Sequence, residues 1–292
     1  ERSKSRYNSS SAAEKTKLKA GLDEQTAKYE KMKADVDRME QEVERGFTEF
    51  KKTIELKPQD AALKNELAVN YYTFRRYDDA AKTWASLLDR SKNDVNAMMR
   101  IGRAYYNGNN LRAADSVFTE VAAKNPDYLD AHIWNARTSS KMDPDYKLGL
   151  AKPKFEKVLL VAGKDSLANS SEMMEAFGYL GWYHSEKGNI GASRSYYNRM
   201  VNLDPKSREN KIKGYNGLGQ LESKLATEEK TLEGKLSILG RAIDAYEKSL
   251  ALDPNNALTK KNLGWVQEYV VNVKKGINPN ELKGIIRDAV SK

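Results

Sequence analysis

Residues 95–126 read VNAMMRIGRAYYNGNNLRAADSVFTEVAAKNP, two amphipathic helical patterns on either side of a turn rich in Gly and Asn. The first pattern places the small residue Gly102 among large apolar ones, and the second places Phe118 on its apolar face. The same residue types recur one unit upstream, since Ala68 and Trp84 precede Gly102 and Phe118 by 34 residues each. Self-similarity at this period predicts an array of helix pairs, and the function is therefore sought on a binding face.

The composition agrees with an array of solvated helices. Of the 292 residues, 39% are hydrophobic and 31% are charged, and the apolar residues keep a helical period that argues against disorder. The formal charge is +9, but Lys and Arg are mostly interleaved with Asp and Glu. We interpret this as a soluble surface with modest excess charge. An acidic partner such as nucleic acid, an anionic surface or an acidic peptide is the alternative.

The chain has no cysteine, which excludes disulfides, zinc–thiolate sites and thiol nucleophiles. No apolar run approaches the length of a membrane span, and no signal peptide is recognisable. Because residue 1 is Glu rather than Met, we expect a processed or truncated chain, from which a targeting segment can have been lost.

The repeats divide the chain into three predicted regions. Residues 1–42 form a basic, Ser-rich tail and a long helix, residues 43–269 form an array of about five full repeats, and residues 270–292 form a C-terminal cap. The later repeats are longer than 34 residues, since Gly181 follows Ala136 by 45. In the fifth repeat we expect both helices to be extended and residues 222–239 to be helical throughout.

Between Ala12 and Leu56 the apolar residues recur at spacings of three and four, with charges on the other faces. This seam consists of Leu22, Gln25, Tyr29, Met32, Val36, Met39, Val43, Gly46, Phe50 and Thr53. One interpretation is a coiled coil, which gives self-association or pairing with a partner helix through residues 12–56. The other is a long helix, or a helix pair broken near Gly21, that packs on the first repeat.

The repeats resemble tetratricopeptide repeats, which carry a large residue, Leu-Gly, Tyr, Ala, an aromatic residue and a closing Pro. Two units match this pattern well: Phe177, Leu180, Gly181, Tyr197 and Pro205 in one, and Tyr215, Leu218, Gly219, Ala242, Tyr246 and Pro254 in the other. The resemblance covers roughly residues 43–269 and departs from the pattern at Lys92 and Asn135. It implies an all-α fold, a right-handed α-α superhelical solenoid of helix pairs with a long N-terminal helix and C-terminal capping helices. The segment around Pro153 and Phe155 also resembles repeat proteins of Bacteroidetes-type bacteria, many of them in the cell envelope.

The resemblance implies that first helices line a concave groove that binds an extended peptide or a partner helix. Counted by repeat position, the candidate groove residues are Tyr72, Met99, Arg100, Arg103, Tyr106, Asn107, Trp134, Arg137, Lys141, Tyr179 and Trp182. Arginine takes carboxylates in bidentate fashion and aromatic rings supply rigid anchors, so a segment with acidic and apolar groups is the expected ligand. In the alternative interpretation the arginines are solvated or paired with Glu66 and Asp130, and the aromatics fill the packing between helices.

The sequence carries no pattern of catalysis or cofactor binding. His132 and His184 occupy positions where the family has large packing residues, and we expect both to pack. No HExxH, Walker A or GxSxG motif occurs, and Asp143-Pro-Asp145 reads as a turn. We therefore expect a protein that is not an enzyme and that needs neither cofactor nor metal.

Three functions remain in view from the sequence. The first is a non-enzymatic protein–protein interaction scaffold or adaptor, a subunit of a multiprotein complex in a bacterial periplasm or cell envelope, with a cytoplasmic location as the alternative. The second is a basic helical-repeat binder of RNA or another polyanion. The groove positions differ from repeat to repeat, which argues against base reading by every unit. The third is self-association through the N-terminal heptads.

Overall fold

The structure is a computed structural model that describes residues 12–89 and 92–275. These residues are almost entirely α-helical. The helices are α1 Ala12–Leu56, α2 Ala61–Thr73, α3 Tyr77–Leu87, α4 Val95–Asn107, α5 Leu111–Lys124, α6 Leu129–Met142, α7 Lys152–Ala162, α8 Ser170–Glu186, α9 Ile190–Asn202, α10 Arg208–Glu228, α11 Leu232–Leu252 and α12 Ala257–Lys274, with a short 3-10 turn at Gly163–Asp165. The predicted cap beyond residue 275 and the first eleven residues of the predicted tail lie outside the described residues.

The chain divides into two compact units, Glu1–Leu87 and Leu88–Lys292. The first contains α1 to α3 and the second contains α4 to α12. Within each unit the helices pack mainly on their neighbours in the sequence, and the first helices of successive repeats also touch. This serial packing confirms the predicted all-α solenoid of helix pairs.

A small residue opposite an aromatic ring sets the distance within several helix pairs. A Cβ atom on Gly102 of α4 would stand 2.5 Å from Phe118 Cε1 on α5, and one on Gly219 of α10 would stand 2.6 Å from Tyr246 Cε1 on α11. Phe118 is fully buried, as is the Val121 side chain one turn further along α5. The small residue lets two backbones approach while the ring fills the space beside them.

The turn between the two helices of a repeat has the same geometry in three units. Arg75, Asn109 and Gly188 all have a left-handed backbone, with φ angles of 60°, 60° and 71°. The next helix is then capped by an Asn in two of them, since the Asn110 and Asn189 side chains accept from the backbone N–H of Ala113 and Ala192. Gly and Asn were predicted in these turns, and they suit them because both residue types tolerate the left-handed backbone that the turn requires.

The inserted residues of the third repeat form a loop organised by a buried carboxylate. Asp143 follows α6 and its carboxylate accepts hydrogen bonds from the backbone N–H of Leu148 at 3.1 Å and Gly149 at 2.7 Å. Burial alone would raise the pKa of Asp143, but these backbone hydrogen bonds outweigh it and hold the pKa below the usual value. The predicted turn is thus an ordered loop around an ionised Asp.

The fifth repeat is extended as expected, because α10 and α11 have 21 residues each. The expectation that residues 222–239 are helical throughout is wrong, since α10 ends at Glu228 and α11 begins at Leu232. The Glu229 carboxylate accepts from the backbone N–H of Thr231 at 2.8 Å, and the Thr231 hydroxyl caps α11 by accepting from Gly234 at 3.1 Å. Two local side-chain caps compete with the helical hydrogen bonds at this point.

The N-terminal helix α1 is continuous through Gly21, so the predicted alternative of a helix pair broken there is wrong. Its C-terminal part packs on the first repeat. Phe47 is 5% exposed and its ring lies 4.5 Å from that of Tyr71 and 5.7 Å from that of Phe74. The predicted seam placed Gly46 on the packed face, whereas the structure uses Phe47, one position later.

Candidate functional site

The candidate residues occupy the first helices of their repeats. Arg100, Arg103, Tyr106 and Asn107 lie on α4, a second group of three lies on α6, and Tyr179 and Trp182 lie on α8. Tyr72 lies on α2 of the first unit, where its ring is 5.0 Å from that of Tyr77 and 5.7 Å from that of Trp84. The site described below belongs to the second unit alone. We call it the first-helix face, defined by Arg100, Arg103, Tyr106, Asn107, Trp134, Arg137, Lys141 and Trp182.

Trp134 is the centre of the first-helix face. The guanidinium carbons of Arg103 and Arg137 lie 5.3 Å and 5.1 Å from its ring centroid. The Tyr106 ring meets the Trp134 ring edge-on, with centroids 5.3 Å apart. Phe118 of α5 stacks on the core-facing side of Trp134, with centroids 5.9 Å apart. Trp134 is partly buried, so one part of the indole belongs to the core and the rest faces the two guanidinium groups.

Both arginines beside Trp134 hold a carboxylate of the next first helix. Arg103 of α4 pairs with Asp130 of α6. Arg137 of α6 binds both carboxylate oxygens of Glu175 on α8, donating from Nε to Oε1 at 2.8 Å and from Nη2 to Oε2 at 2.6 Å. The hydrogen bonds that Arg137 donates to Glu175 raise the pKa of Arg137, against the opposing effect of burial. Arg137 is therefore an oriented bidentate group, and both ion pairs tie successive repeats together.

The edge of the first-helix face carries a further cation over an aromatic ring. Lys141 Nζ lies 4.7 Å from the centroid of the Tyr106 ring and 3.5 Å from the Tyr106 carbonyl oxygen. Arg100 and Asn107 are exposed on the same helix as Tyr106. These groups extend the cationic and aromatic surface along α4.

Met99 and Tyr179 were predicted in the groove, but the structure places both in the core. Met99 is 2% exposed and packs among the apolar residues of α5 and α6. Tyr179 is 9% exposed and stacks on Phe155 at 4.3 Å. Burial raises the pKa of Tyr179, so its hydroxyl stays protonated. We leave both out of the proposed surface, because a partner could reach little of either side chain.

Trp182 lies further along the same face and brings in a residue that the sequence did not single out. Lys224 of α10 places its Nζ 5.8 Å from the Trp182 ring and 2.8 Å from a carboxylate oxygen of Glu186. From the sequence, Asp130 was expected only as a possible partner of the arginines, and Glu175 was not singled out as a member of the site. A signal existed in the sequence for Asp130 and Glu175, since each lies at the second position of a repeat whose predecessor carries an arginine at its ninth position.

The two histidines have packing environments in the structure. His132 is 8% exposed and its Nε2 lies 2.8 Å from the Pro126 carbonyl oxygen. His184 stacks on Tyr196 at 5.6 Å. Within residues 12–89 and 92–275, no group of three or more His, Asp or Glu side chains is arranged to hold a metal ion. Nor does any helix of that part of the chain have the length and apolar character needed to cross a membrane.

Comparison with known proteins gives one family match and several structural neighbours. Residues 65–128 match the model of a tetratricopeptide repeat. No curated protein matches the chain. One neighbour is the C-terminal part of a TPR repeat-containing protein from Cytophaga hutchinsonii, with 23% identity and a TM-score of 0.49 over 57% of this chain and 65% of that one, just under two thirds.

Two further neighbours are similar in extent. YrrB, described as a TPR protein with an unusual peptide-binding site, has 16% identity and a TM-score of 0.47 over 73% of this chain and 96% of its own. MamA from Desulfovibrio magneticus RS-1 has 19% identity and a TM-score of 0.46 over 67% of this chain and 98% of its own.

The family match falls on the two most regular units, α2 to α5. The small residue opposite an aromatic ring and the left-handed inter-helix turn recur in later units that the match does not reach. Helix pairs of this kind serve as protein-interaction scaffolds, which agrees with the exposed cationic and aromatic face. On these grounds residues 65–128 match the tetratricopeptide-repeat family, and the later units share the packing and turn geometry of that segment.

Proposed function

We propose that the protein is a non-enzymatic scaffold whose first-helix face binds an acidic and apolar segment of a partner, either an extended peptide or a helix. The observation that carries the proposal is the position of Trp134 between two guanidinium groups, at 5.3 Å and 5.1 Å. An indole flanked by arginines offers apolar contact and charge-assisted hydrogen bonds at one place. Trp and Arg are also the residues that dominate binding energy at protein interfaces.

The pairing with Asp130 and Glu175 prepares the arginines for this role. Each guanidinium is held in a fixed direction by a carboxylate, and the Arg103 and Arg137 side chains remain 40% and 33% exposed. The exposed N–H groups can donate to a second carboxylate without the loss of side-chain freedom that a solvated arginine would suffer. A partner with an apolar residue between two carboxylates fits this arrangement.

The binding test uses a displayed random peptide library, followed by fluorescence anisotropy with the selected peptides. We expect enrichment of Asp and Glu next to a large apolar residue. Replacing those acids by Asn and Gln should weaken binding by about tenfold or more, as expected when a charge-assisted hydrogen bond is lost. Peptides without acidic residues that bind as tightly would refute the proposal.

The matched variants are chosen for equal change of charge. Arg103→Gln with Arg137→Gln should abolish selection of acidic peptides, and Arg137→Lys should weaken it because the bidentate contact is lost. The control is Lys124→Gln with Lys248→Gln, on second helices, where each lysine pairs with an acidic residue one turn away. The control should bind the selected peptides as the unaltered protein does.

We also propose that this scaffold works in a bacterial cell-envelope complex. Support comes from the sequence, through the absence of cysteine and the resemblance to envelope repeat proteins. Fractionation of the native cells with an antibody against the protein tests the location. Recovery in the cytoplasmic fraction alone would contradict it.

A further inference from the structure

The N-terminal two thirds of α1 carries a row of large apolar side chains that no described residue covers. The exposed fractions of these side chains are Leu18 48%, Leu22 62%, Tyr29 69%, Met32 59%, Val36 51% and Met39 62%. Their spacings of three, four and seven place them on one stripe of the helix, about 32 Å long at 1.5 Å per residue. A contiguous apolar row of this kind marks an interaction surface.

The row stops where α1 begins to pack within its own unit. Val43 is partly buried and Phe47 is buried against Tyr71 of α2. The exposed row therefore lies on the part of α1 that the first repeat does not use. Its heptad positions a are Leu22, Tyr29, Val36 and Val43, and its positions d are Leu18, Gln25, Met32 and Met39.

The charges beside this row disfavour pairing with a parallel second copy. In a parallel, in-register pair each position g faces position e of the next heptad on the other helix. Lys28 would then face Lys33 of the second copy, and Asp35 would face Glu40 of the second copy. Both contacts are between like charges, and the two-fold symmetry would double each of them.

The same charges favour an antiparallel second copy. A two-fold axis between Glu30 and Lys31 puts Leu22 opposite Met39 of the second copy and Tyr29 opposite Met32 of the second copy. Lys28 then lies beside Asp35 of the second copy, and Lys19 lies beside Glu40 of the second copy. The opposite-charge contacts occur twice each, and no position g or e meets a like charge.

We propose that the row formed by residues 18–43 of α1 binds the same row of a second copy as an antiparallel coiled coil. Apolar layers supply the stabilisation, and the flanking charges choose the orientation. The Asp35–Arg38 pair within α1, at 3.0 Å, is solvent-exposed and does not compete strongly with this contact. The surface is distinct from the first-helix face, so each can fail without the other.

The first experiment measures mass by sedimentation over a dilution series of the full chain. We expect a concentration-dependent dimer that Val36→Asp abolishes, because position a would then bury a charge. The matched control is Ala34→Asp, which places the same charge on an exposed residue at position f, away from the row. A monomer at every concentration, or an equal effect of both variants, would overturn the proposal.

The second experiment reads the orientation through cross-links, which the absence of cysteine makes unambiguous. Leu22→Cys and Met39→Cys variants should each form little disulfide-linked dimer alone and form it readily when mixed. A parallel pair would give the reverse, with each variant cross-linking to itself. Circular dichroism on both variants checks that α1 is intact.

The third experiment reverses the charges beside the row. Lys28→Glu should weaken an antiparallel dimer about tenfold, since two ion pairs become two repulsions, and Asp35→Lys added to it should restore the affinity. In a parallel dimer Lys28→Glu would instead remove a Lys–Lys contact and strengthen association. Strengthening by Lys28→Glu therefore rejects the antiparallel arrangement.

Discussion

At the scale of a residue, Gly102 shows how the absence of one atom sets the geometry of a helix pair. A Cβ atom at this position of α4 would stand 2.5 Å from Cε1 of the Phe118 ring. Gly264 occupies the equivalent first-helix position in α12 but has no atom within 4 Å of a built Cβ. The same residue type therefore has opposite effects on stability in the two helices.

We expect Gly102→Ala to lower the free energy of unfolding by about 1–3 kcal/mol, because the methyl group would overlap a buried aromatic ring. Gly264→Ala should raise it by about 0.5–1 kcal/mol, since glycine costs a helix backbone entropy and nothing opposes the added methyl group. Urea unfolding followed by circular dichroism measures both. Equal effects of the two substitutions would contradict the packing described.

His184 couples stability to pH. Burial, with a smaller contribution from Lys152, lowers the pKa of His184 below its ordinary value, and Glu156 opposes this shift. Above the ordinary pKa the imidazole is neutral in both the folded and the unfolded chain and contributes no pH dependence. Below it the unfolded chain takes up a proton that the folded chain resists, so the free energy of unfolding falls.

We expect His184→Phe, which retains a ring beside Tyr196, to lose less stability than the unaltered protein when the pH is lowered from about 7.5 to 5.5. Urea unfolding gives the free energy of unfolding of each protein at each pH, and the difference between the two proteins is compared across the pH range. It removes the contribution of carboxylates common to both. Parallel pH profiles would show that His184 is not responsible.

At the scale of an element, α10 is joined to both neighbouring second helices through one carboxylate. Glu222 is 3% exposed. Its Oε1 accepts from Arg194 of α9 at 2.9 Å and its Oε2 accepts from Arg241 of α11 at 2.9 Å. The two arginines are partly exposed, so the carboxylate is the one member of the cluster that depends fully on its partners.

Glu222→Gln should lower the free energy of unfolding by about 1–2 kcal/mol, because the shape is kept and the two charge-assisted contacts are weakened. Partial exposure of Arg194 and Arg241 keeps the loss below that of a fully buried pair. The control on the same helix is Glu209→Gln, whose contact with Lys213 is solvent-exposed. A thermal unfolding scan should separate the first variant from wild type and leave the control unchanged.

The sequence predicted the helix pairs well because the small residue and the aromatic ring are local features with a fixed period. Phe118, Tyr197 and Tyr246 all meet the expected first-helix residue. It predicted the ends of α10 and α11 poorly, because the helical pattern runs through residues 229–231 and two short side-chain caps decide the break. It could not tell Met99 from its exposed neighbours, since a turn of helix offers similar spacing to the core and to the face.

At the scale of the whole molecule, a formal charge of +9 does not translate into one cationic surface. On the described first helices of the second unit, Arg103, Arg137 and Lys224 each hold a carboxylate of a neighbouring helix. A polyanion would have to compete with these contacts. Excess charge distributed in this way favours solubility over polyanion binding.

We therefore expect only weak retention on heparin or RNA, lost at physiological salt, because Arg103, Arg137 and Lys224 are already paired with carboxylates. The slope of binding against salt concentration measures how many cations are engaged. A steep slope with retention at physiological salt would instead revive the alternative of a polyanion-binding repeat protein. The Lys124→Gln and Lys248→Gln variant serves here as a control for loss of net charge.

The carboxylates on the first-helix face also make partner binding an exchange. Asp130 and Glu175 already occupy part of the hydrogen-bonding capacity of Arg103 and Arg137. An arriving carboxylate that displaces one of them gains only the difference between two similar contacts, while the released acid returns to water. Added salt weakens the ion pairs within the chain and those with the partner alike. The affinity for an acidic partner should therefore vary less with ionic strength than the number of arginines implies. Such a face discriminates between ligands by geometry and leaves the bound state easy to reverse.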